Sequence, residues 1–314
     1  MTYALQAKNE LARRELGRNC CQSAELTAFI RLSGNIQITG KRLTLNVVTS
    51  NPAVARRIFT LFKQVFHFSS ELLVRRKIRL RKNNVYLVRI SESIRVREVL
   101  TKLALMRDGV LLHELDERIR SSKCCRRAYL RGAFLAGGSV SNPENSYHLE
   151  IYTDYSQQAD DLAAIIETFG IRAKVTSRKN GHLVYIKDSE QIVEFLSVIG
   201  AHSALLNFEN VRILKDIRNR INRLVNFETA NVNKTVEAAI KQAEAIRIIE
   251  DHIGIDALEP PLRQLAILRV QHPEASLQEL GEMLDPPLGK SGVNHRMRKL
   301  EKISKKFIKD QHFR

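Results

Sequence analysis

Apolar positions in the first two-thirds of the chain follow one order twice. The run "AELTAFIRLSGNI" (24–36) lies over "AYLRGAFLAGGSV" (128–140) at an offset of 104 residues, with Leu26 on Leu130, Ile30 on Phe134, Gly34 on Gly138 and Ile36 on Val140. At the same offset "TLNVVTS" (44–50) covers "HLEIYTD" (148–154), and "ARRIFTLFKQVF" (55–66) covers "ADDLAAIIETFG" (159–170). In the last pair Ile58, Leu61 and Phe62 fall on Leu162, Ile165 and Ile166. Agreement of apolar positions over more than forty residues marks a duplicated domain.

Within each copy the hydrophobic period changes in a fixed order. An apolar helix runs to Gly34 or Gly138, where a residue without Cβ is expected to permit a left-handed exit. Two short strands follow, about 35–39 and 43–49 in the first copy, with alternation in Ile36/Ile38 and Leu43/Leu45/Val47. A second amphipathic helix (about 52–66 and 156–169), two further strands and a closing helix complete the unit. The predicted unit is α-β-β-α-β-β-α, used twice around a pseudo-twofold, and the class is α+β with antiparallel sheets. The first domain is placed at 1–205, with copies at about 20–107 and 124–200.

The outer strands sort charge by face. In "LLVRRKIRLRK" (72–82), alternation puts Arg75, Lys77, Arg79 and Arg81 on one side and Val74, Ile78 and Leu80 on the other. In "IRAKVTSRK" (171–179), Arg172, Lys174 and Arg178 oppose Ile171, Ala173 and Val175. Cations repeated on one strand face repel each other unless a polyanion lies against them, so these residues are candidates for a DNA-facing sheet.

From about 207 the pattern becomes helical throughout, with Ile213, Ile217, Ile221 and Leu224 at three-to-four spacing. A helical linker is placed at 206–225 and an all-α domain at 226–314. Pro260 and Pro261 suit a helix start, and Pro273 follows its end. Ser276 with Glu279 predicts a capping box ahead of a short helix carrying Leu277, Leu280 and Leu284. "DPPLGKSG" (285–292) makes a turn, and a third helix begins near Ser291. On that helix Val293, Met297, Leu300 and Ile303 form a core stripe, while Ser291, Asn294, His295 and Arg298 form a polar one. Lys290, Arg296, Lys299 and Lys302 flank the polar stripe. This is the layout of a helix-turn-helix, with the motif at about 275–308. Its candidate DNA contacts are Ser276, Lys290, Ser291, Asn294, His295, Arg296, Arg298, Lys299 and Lys302, with Lys305, Lys306, Lys309 and Arg314 adding non-specific charge.

Composition strengthens the polyanion reading. The 314 residues hold 51 Lys+Arg against 34 Asp+Glu, a net charge of +17, with 44% hydrophobic residues, the balance of a soluble globular protein. No run of 18 apolar residues exists and the N-terminus lacks the apolar core of a secretory signal, so a cytoplasmic, nucleoid-associated protein without a membrane partner is expected. The four cysteines form two adjacent pairs, Cys20-Cys21 and Cys124-Cys125, without the C-x₂₋₄-C and histidine spacing of zinc sites. They are read as buried free thiols, with no metal site and no cofactor. "GKS" at 289–291 is not a P-loop, because position 284 is Leu rather than Gly.

The helix ending in "LRGAFLAGG" (130–138) resembles the LAGLIDADG motif of homing endonucleases, whose fold is this same unit doubled. In that family two motif helices pack at a pseudo-twofold, and each contributes a metal-binding carboxylate from the motif's eighth place. Leu130, Gly132, Ala136 and Gly138 match the first, third, seventh and ninth places, but the eighth is Gly137, and in the first copy it is Ser33. Mg²⁺ needs hard oxygen ligands, so both motifs read as degenerate, with no catalytic residue and no nuclease activity. Gly132, Ala136 and Ala28 are expected to keep the helices in close contact.

A degenerate pair of this kind joined to a helix-turn-helix resembles the WhiA family of Gram-positive bacteria. The likeness extends over nearly the whole chain, most specifically in "CCRRAYLRGAFLAGGSV" (124–140), "NFETANVNKTVEAAIKQ" (226–242) and "SLQELGEMLDPPLGKSGVNHRMRKL" (276–300). It implies a double-stranded-DNA-binding transcriptional regulator involved in sporulation, cell division and chromosome segregation. In actinobacteria such proteins act with an iron–sulfur regulator, which implies a protein partner for the first domain. The alternatives are a metal-dependent endonuclease, or a DNA-binding protein whose first domain is a protein-interaction scaffold. Because the duplication supplies an internal pseudo-dimer, a monomer is expected.

Overall fold

The computed structural model describes residues 2–40, 42–75 and 84–311. The chain divides into two compact units, Met1–Lys215 and Asp216–Arg314. In the first, helix α1 (Tyr3–Arg13) turns Tyr3, Ala7 and Leu11 into the core. The first copy then runs α2 (Asn19–Ser33), β1 (Gly34–Thr39), β2 (Arg42–Thr49), α3 (Pro52–Phe66), β3 (Glu71–Arg75), β4 (Val85–Ile90) and α4 (Ser93–Lys102). A short hairpin, β5 (Met106–Arg107) and β6 (Val110–Leu111), and α5 (Glu117–Ser121) lead to the second copy. That copy repeats the order as α6 (Lys123–Gly137), β7 (Gly138–Val140), β8 (Leu149–Thr153), α7 (Ser156–Glu167), β9 (Lys174–Arg178), β10 (Gly181–Ile186) and α8 (Ser189–Ile199).

The two sheets share one antiparallel topology, β1-β2-β4-β3 and β7-β8-β10-β9. Their helix-facing residues include Leu45, Val47, Val88 and Ile90 in the first and Leu149, Ile151, Val184 and Ile186 in the second, all buried. Helix α3 starts where the repeat places it because Pro52 occupies its first turn and the Asn51 side chain accepts from the Ala53 and Val54 amides. Ile58, Leu61 and Phe62 are buried, as are their counterparts Leu162, Ile165 and Ile166.

Helices α2 and α6 are buried on every face over 24–31 and 128–135 because they form the centre of the unit. Phe29 and Phe134 have no exposed surface, and burying each contributes roughly 2–3 kcal/mol. The two helices meet at the equivalent positions Ala28 and Gly132. A Cβ on Gly132 would stand 2.5 Å from the Glu25 carbonyl oxygen and 2.9 Å from the Ala28 Cβ, so the close contact requires glycine there. Charge is buried in the same layer. Glu25 is bound by Arg57, whose Nη2 lies 3.0 Å away, and by Arg131 at 3.1 Å, while Asp161 pairs with Arg31 at 2.7 Å and Arg120 at 2.9 Å.

The left-handed exit expected at the two motif glycines does not occur. Gly34 has φ −84° and Gly138 φ −80°, both extended, because the first strand of each sheet begins at the glycine itself. What the position excludes is bulk, since a Cβ on Gly138 would fall 2.4 Å from a ring carbon of Phe134.

Helix α9 (His202–Ile253) contains the expected 206–225 segment within one continuous helix. Ile213, Ile217, Ile221 and Leu224 have the predicted helical spacing, yet each stays about half exposed, from 49% to 57%. In the second unit a 3₁₀ turn (Ile255–Ala257) precedes α10 (Pro260–Gln271), α11 (Leu277–Met283) and α12 (Lys290–Gln311). Its core joins Ile246 and Ile249 of α9 to Leu262 and Leu265 of α10, Leu280 of α11, and Val293, Met297 and Leu300 of α12. Arg269 is buried at the end of α10, donating to the Ala275 carbonyl at 2.7 Å and closing the turn toward α11. Desolvation holds its pKa below the ordinary arginine value.

Candidate nucleic-acid interface

The C-terminal ends of α2 and α6 are where a homing endonuclease would hold its metal. Ser33 donates its hydroxyl to the Phe29 carbonyl at 2.8 Å, one turn back in its own helix. At Gly137 any Cβ would stand 2.4 Å from the Tyr152 carbonyl oxygen, so strand β8 occupies the space a side chain would need. Neither position offers a carboxylate, and the donor set does not fit a hard divalent cation.

The outer face of the first sheet carries Arg42, Asn46, Arg75 and Arg89, on the side away from the buried Leu45, Val47, Val88 and Ile90. Arg89 Nε donates to Asn46 Oδ1 at 2.8 Å, which orients that cation across the sheet. Arg75 ends β3 and is exposed, while Lys77, Arg79 and Arg81 lie outside the described residues. Val74 points to the helix side as predicted, but remains 50% exposed because β3 is an edge strand.

In the second sheet Lys174, Thr176 and Arg178 share the outer face with Glu150, Tyr152 and Tyr185, and His148 Nε2 lies 3.1 Å from Glu150. Arg172 is exposed but precedes the strand. Its backbone N–H donates to Gln191 Oε1 at 2.8 Å, so the ladder starts two residues later than the alternation suggested. Val175, expected inside, is 41% exposed on this second edge strand.

In the second unit the capping box forms. The Ser276 hydroxyl accepts from the Glu279 amide, and Glu279 Oε2 accepts from the Ser276 amide at 2.7 Å. Donation to the Glu279 carboxylate, first from the Ser276 amide and then from its hydroxyl, lowers the Glu279 pKa. Ser276 is therefore placed as a helix cap. Gly281 lets the turn close, since its carbonyl accepts from Leu288 N at 2.9 Å and a Cβ would meet the Leu288 carbonyl at 1.9 Å. Helix α12 then starts at Lys290, and its sides separate cleanly. Val293, Met297 and Leu300 are buried and Ile303 packs beside them, whereas Lys290, Ser291, His295, Arg298, Lys299 and Lys302 are exposed. Asn294 and Arg296 are half-buried at the border between the two.

The four cysteines are free thiols as expected, but only two of them are buried. Cys21 and Cys125 are buried, but Cys20 and Cys124 are exposed, and all four sulfurs lie within 4.8 Å of one another. They are the one group of three or more His, Cys, Asp or Glu side chains among the described residues that could hold a metal ion. Burial pushes the Cys21 thiol up to about 12 and Cys125 up to about 11, while the Ser122 hydroxyl 3.3 Å away draws Cys124 down to about 7. Spacing along the chain missed this group because its halves belong to different copies. The signal was the repeat itself, which superposes Cys20 on Cys124 and Cys21 on Cys125.

Three family models cover almost the whole chain. They are the WhiA N-terminal LAGLIDADG-like domain at residues 19–106, the WhiA LAGLIDADG-like domain at 126–218 and the WhiA C-terminal HTH domain at 221–304. A "Probable cell division protein WhiA" of Desulforamulus reducens is 52% identical over 309 residues, covering 98% of this chain and 96% of that one. The protein of the same name from Macrococcus caseolyticus is 48% identical over 314 residues, covering 99% and 98%. Among solved structures, full-length DUF199/WhiA from Thermatoga maritima aligns with a TM-score of 0.60 at 25% identity, covering 98% of this chain and 99% of that one.

Proposed function

The chain belongs to the WhiA family, and from that membership we propose that it is a sequence-specific DNA-binding regulator of transcription acting in cell division, without nuclease activity. The observation that carries the reading is the division of α12 into a buried apolar stripe and an exposed polar and basic one, directly after a capped short helix. In a helix-turn-helix the second helix enters the major groove with its N-terminal residues toward base edges. Ser291, Asn294, His295 and Arg298 take that role here, and Lys290, Arg296, Lys299 and Lys302 neutralise phosphates. Ser276 acts as the cap that sets the angle between the helices. The protein works as a monomer on chromosomal DNA in the cytoplasm. The absence of carboxylates at Ser33 and Gly137 supports binding without cleavage.

A second reading concerns the first unit alone. The mixture of Glu150, Tyr152 and Tyr185 with Lys174 and Arg178 suits a protein partner as well as phosphates. One titration of labelled duplex DNA at several salt concentrations separates these readings. Replacing Asn294, His295 and Arg298 together by Ala is expected to weaken binding to the target site at least tenfold without changing the melting temperature. Unchanged affinity would remove α12 from the interface. In the same assay Lys174→Glu with Arg178→Glu flattens the salt dependence if the sheet contacts DNA, and leaves it unaltered if that face is a scaffold.

A further inference from the structure

The N-terminal ends of α2 and α6 gather four thiols from residues 104 positions apart. Cys20 and Cys21 are the second and third residues of α2, and Cys124 and Cys125 hold the same places in α6. All four sulfurs fall within 4.8 Å of one another, those of Cys20 and Cys21 are 4.0 Å apart, and none is in a disulfide. A tetrahedral zinc ion with Zn–S bonds of about 2.3 Å sets its sulfurs roughly 3.8 Å apart. The longest separation is thus within about 1 Å of that tetrahedron, a difference that side-chain rotation covers. We propose that Cys20, Cys21, Cys124 and Cys125 form a closed tetrathiolate site for one zinc ion, with two ligands from each copy.

The surroundings suit that charge. Both helices begin without a side-chain cap, so the free amides of two first turns and both helix dipoles favour thiolates at this point. Binding releases the protons of those thiols that still hold them and leaves the zinc–thiolate group with two negative charges. Arg14 and Arg127, with Arg131 already bound to Glu25, line the groove that Cys21 and Cys124 share, against one acid there, Glu15. The spacing is too tight for an iron–sulfur cluster, whose thiolates bind separate irons at the corners of a larger cage. A disulfide between Cys20 and Cys21 would join consecutive residues inside a helix, against its backbone geometry, which leaves a bridge between the copies as the competing chemistry. Four protein ligands leave no open position for water, so the ion is structural and ties the two copies together.

The test uses the full-length protein, reduced and freed of metal, with Co²⁺ as the first probe. Thiolate-to-cobalt charge transfer and the intense visible bands of tetrahedral cobalt are expected, saturating at one ion per chain and displaced by one equivalent of Zn²⁺. Protein purified without chelator is expected to hold one zinc per chain by elemental analysis. Chelation should lower the melting temperature of the wild type but not of a Cys20→Ser, Cys124→Ser variant, whose two substitutions are at exposed positions. The cobalt titration of the wild type needs no variant and stands even if the variant folds poorly. A fully reduced chain with four titratable thiols that binds neither Co²⁺ nor Zn²⁺ would overturn the proposal. So would recovery of the native protein with a disulfide between the copies and no metal affinity after reduction.

Discussion

The paired helices α2 and α6 are alike along their length and different at their two ends. At the N-terminal ends, equivalent positions in both copies carry cysteines, and the pairing brings four sulfurs into one cluster. At the C-terminal ends, equivalent positions carry Ser33 and Gly137, one hydroxyl bonded back to its own helix and one residue with no side chain. The same pseudo-twofold thus assembles a potential ligand set at one end and nothing of the kind at the other. Ligation in this architecture depends on which residues the copies place near the axis. Packing depends on the middle of the pair, where Ala28, Gly132 and the buried ion pairs lie.

The hardest test of that division is to break the middle. Glu25→Ala leaves Arg57 and Arg131 buried without their carboxylate, and is expected to cost about 3–5 kcal/mol of stability in urea unfolding. A cost below about 1 kcal/mol would show that the apolar contacts hold the pair alone. A smaller effect is expected at the C-terminal end. Gly137→Asp forces β8 to shift at Tyr152 and should destabilise by about 1–3 kcal/mol, without Mg²⁺-dependent nicking of supercoiled plasmid. Nicking that a chelator abolishes would mean that the two ends differ less than their residues imply.

The smallest effect lies where Lys8 approaches α6, its Nζ 6.0 Å from the Phe134 ring centre. Burial draws the Lys8 ammonium down from 10.5 to about 8. The folded state therefore holds this proton less tightly than the unfolded chain, and stability rises with pH between about 8 and 10.5. Lys8→Met is expected to gain about 1 kcal/mol at pH 7, a gain that stays constant below pH 8 and fades by pH 10.5. A gain independent of pH would assign the effect to packing.

The duplication was legible because apolar positions keep their order even where identity is low, so Ile58 and Leu162 could be matched before either was known to be buried. The capping box at Ser276 was legible for a similar reason, since both partners lie within four residues. Three features were not. The cysteine cluster forms across the axis, where spacing along the chain carries no information. An apolar run closing on glycine predicts a left-handed turn at Gly34 and Gly138, whereas the two positions answer to crowding by Ile30 and Phe134 in the turn before them. On α9, periodicity predicted the helix at Ile213–Leu224 but not how much of its apolar side stays uncovered, because period reports local geometry and burial depends on a second surface.

Glu25 has one further consequence. The offset that pairs Ala28 with Gly132 places Tyr129, not a second acid, in the equivalent position. In a homodimer of either copy every residue at the axis would occur twice, so one buried carboxylate would oblige another, with its own arginines, in the same small space. Fusion into a single polypeptide removes that obligation. Each half can then diverge against a fixed counterpart, and Glu25 in one copy can stand where the other has Tyr129, an unlike pair that no symmetric dimer could carry.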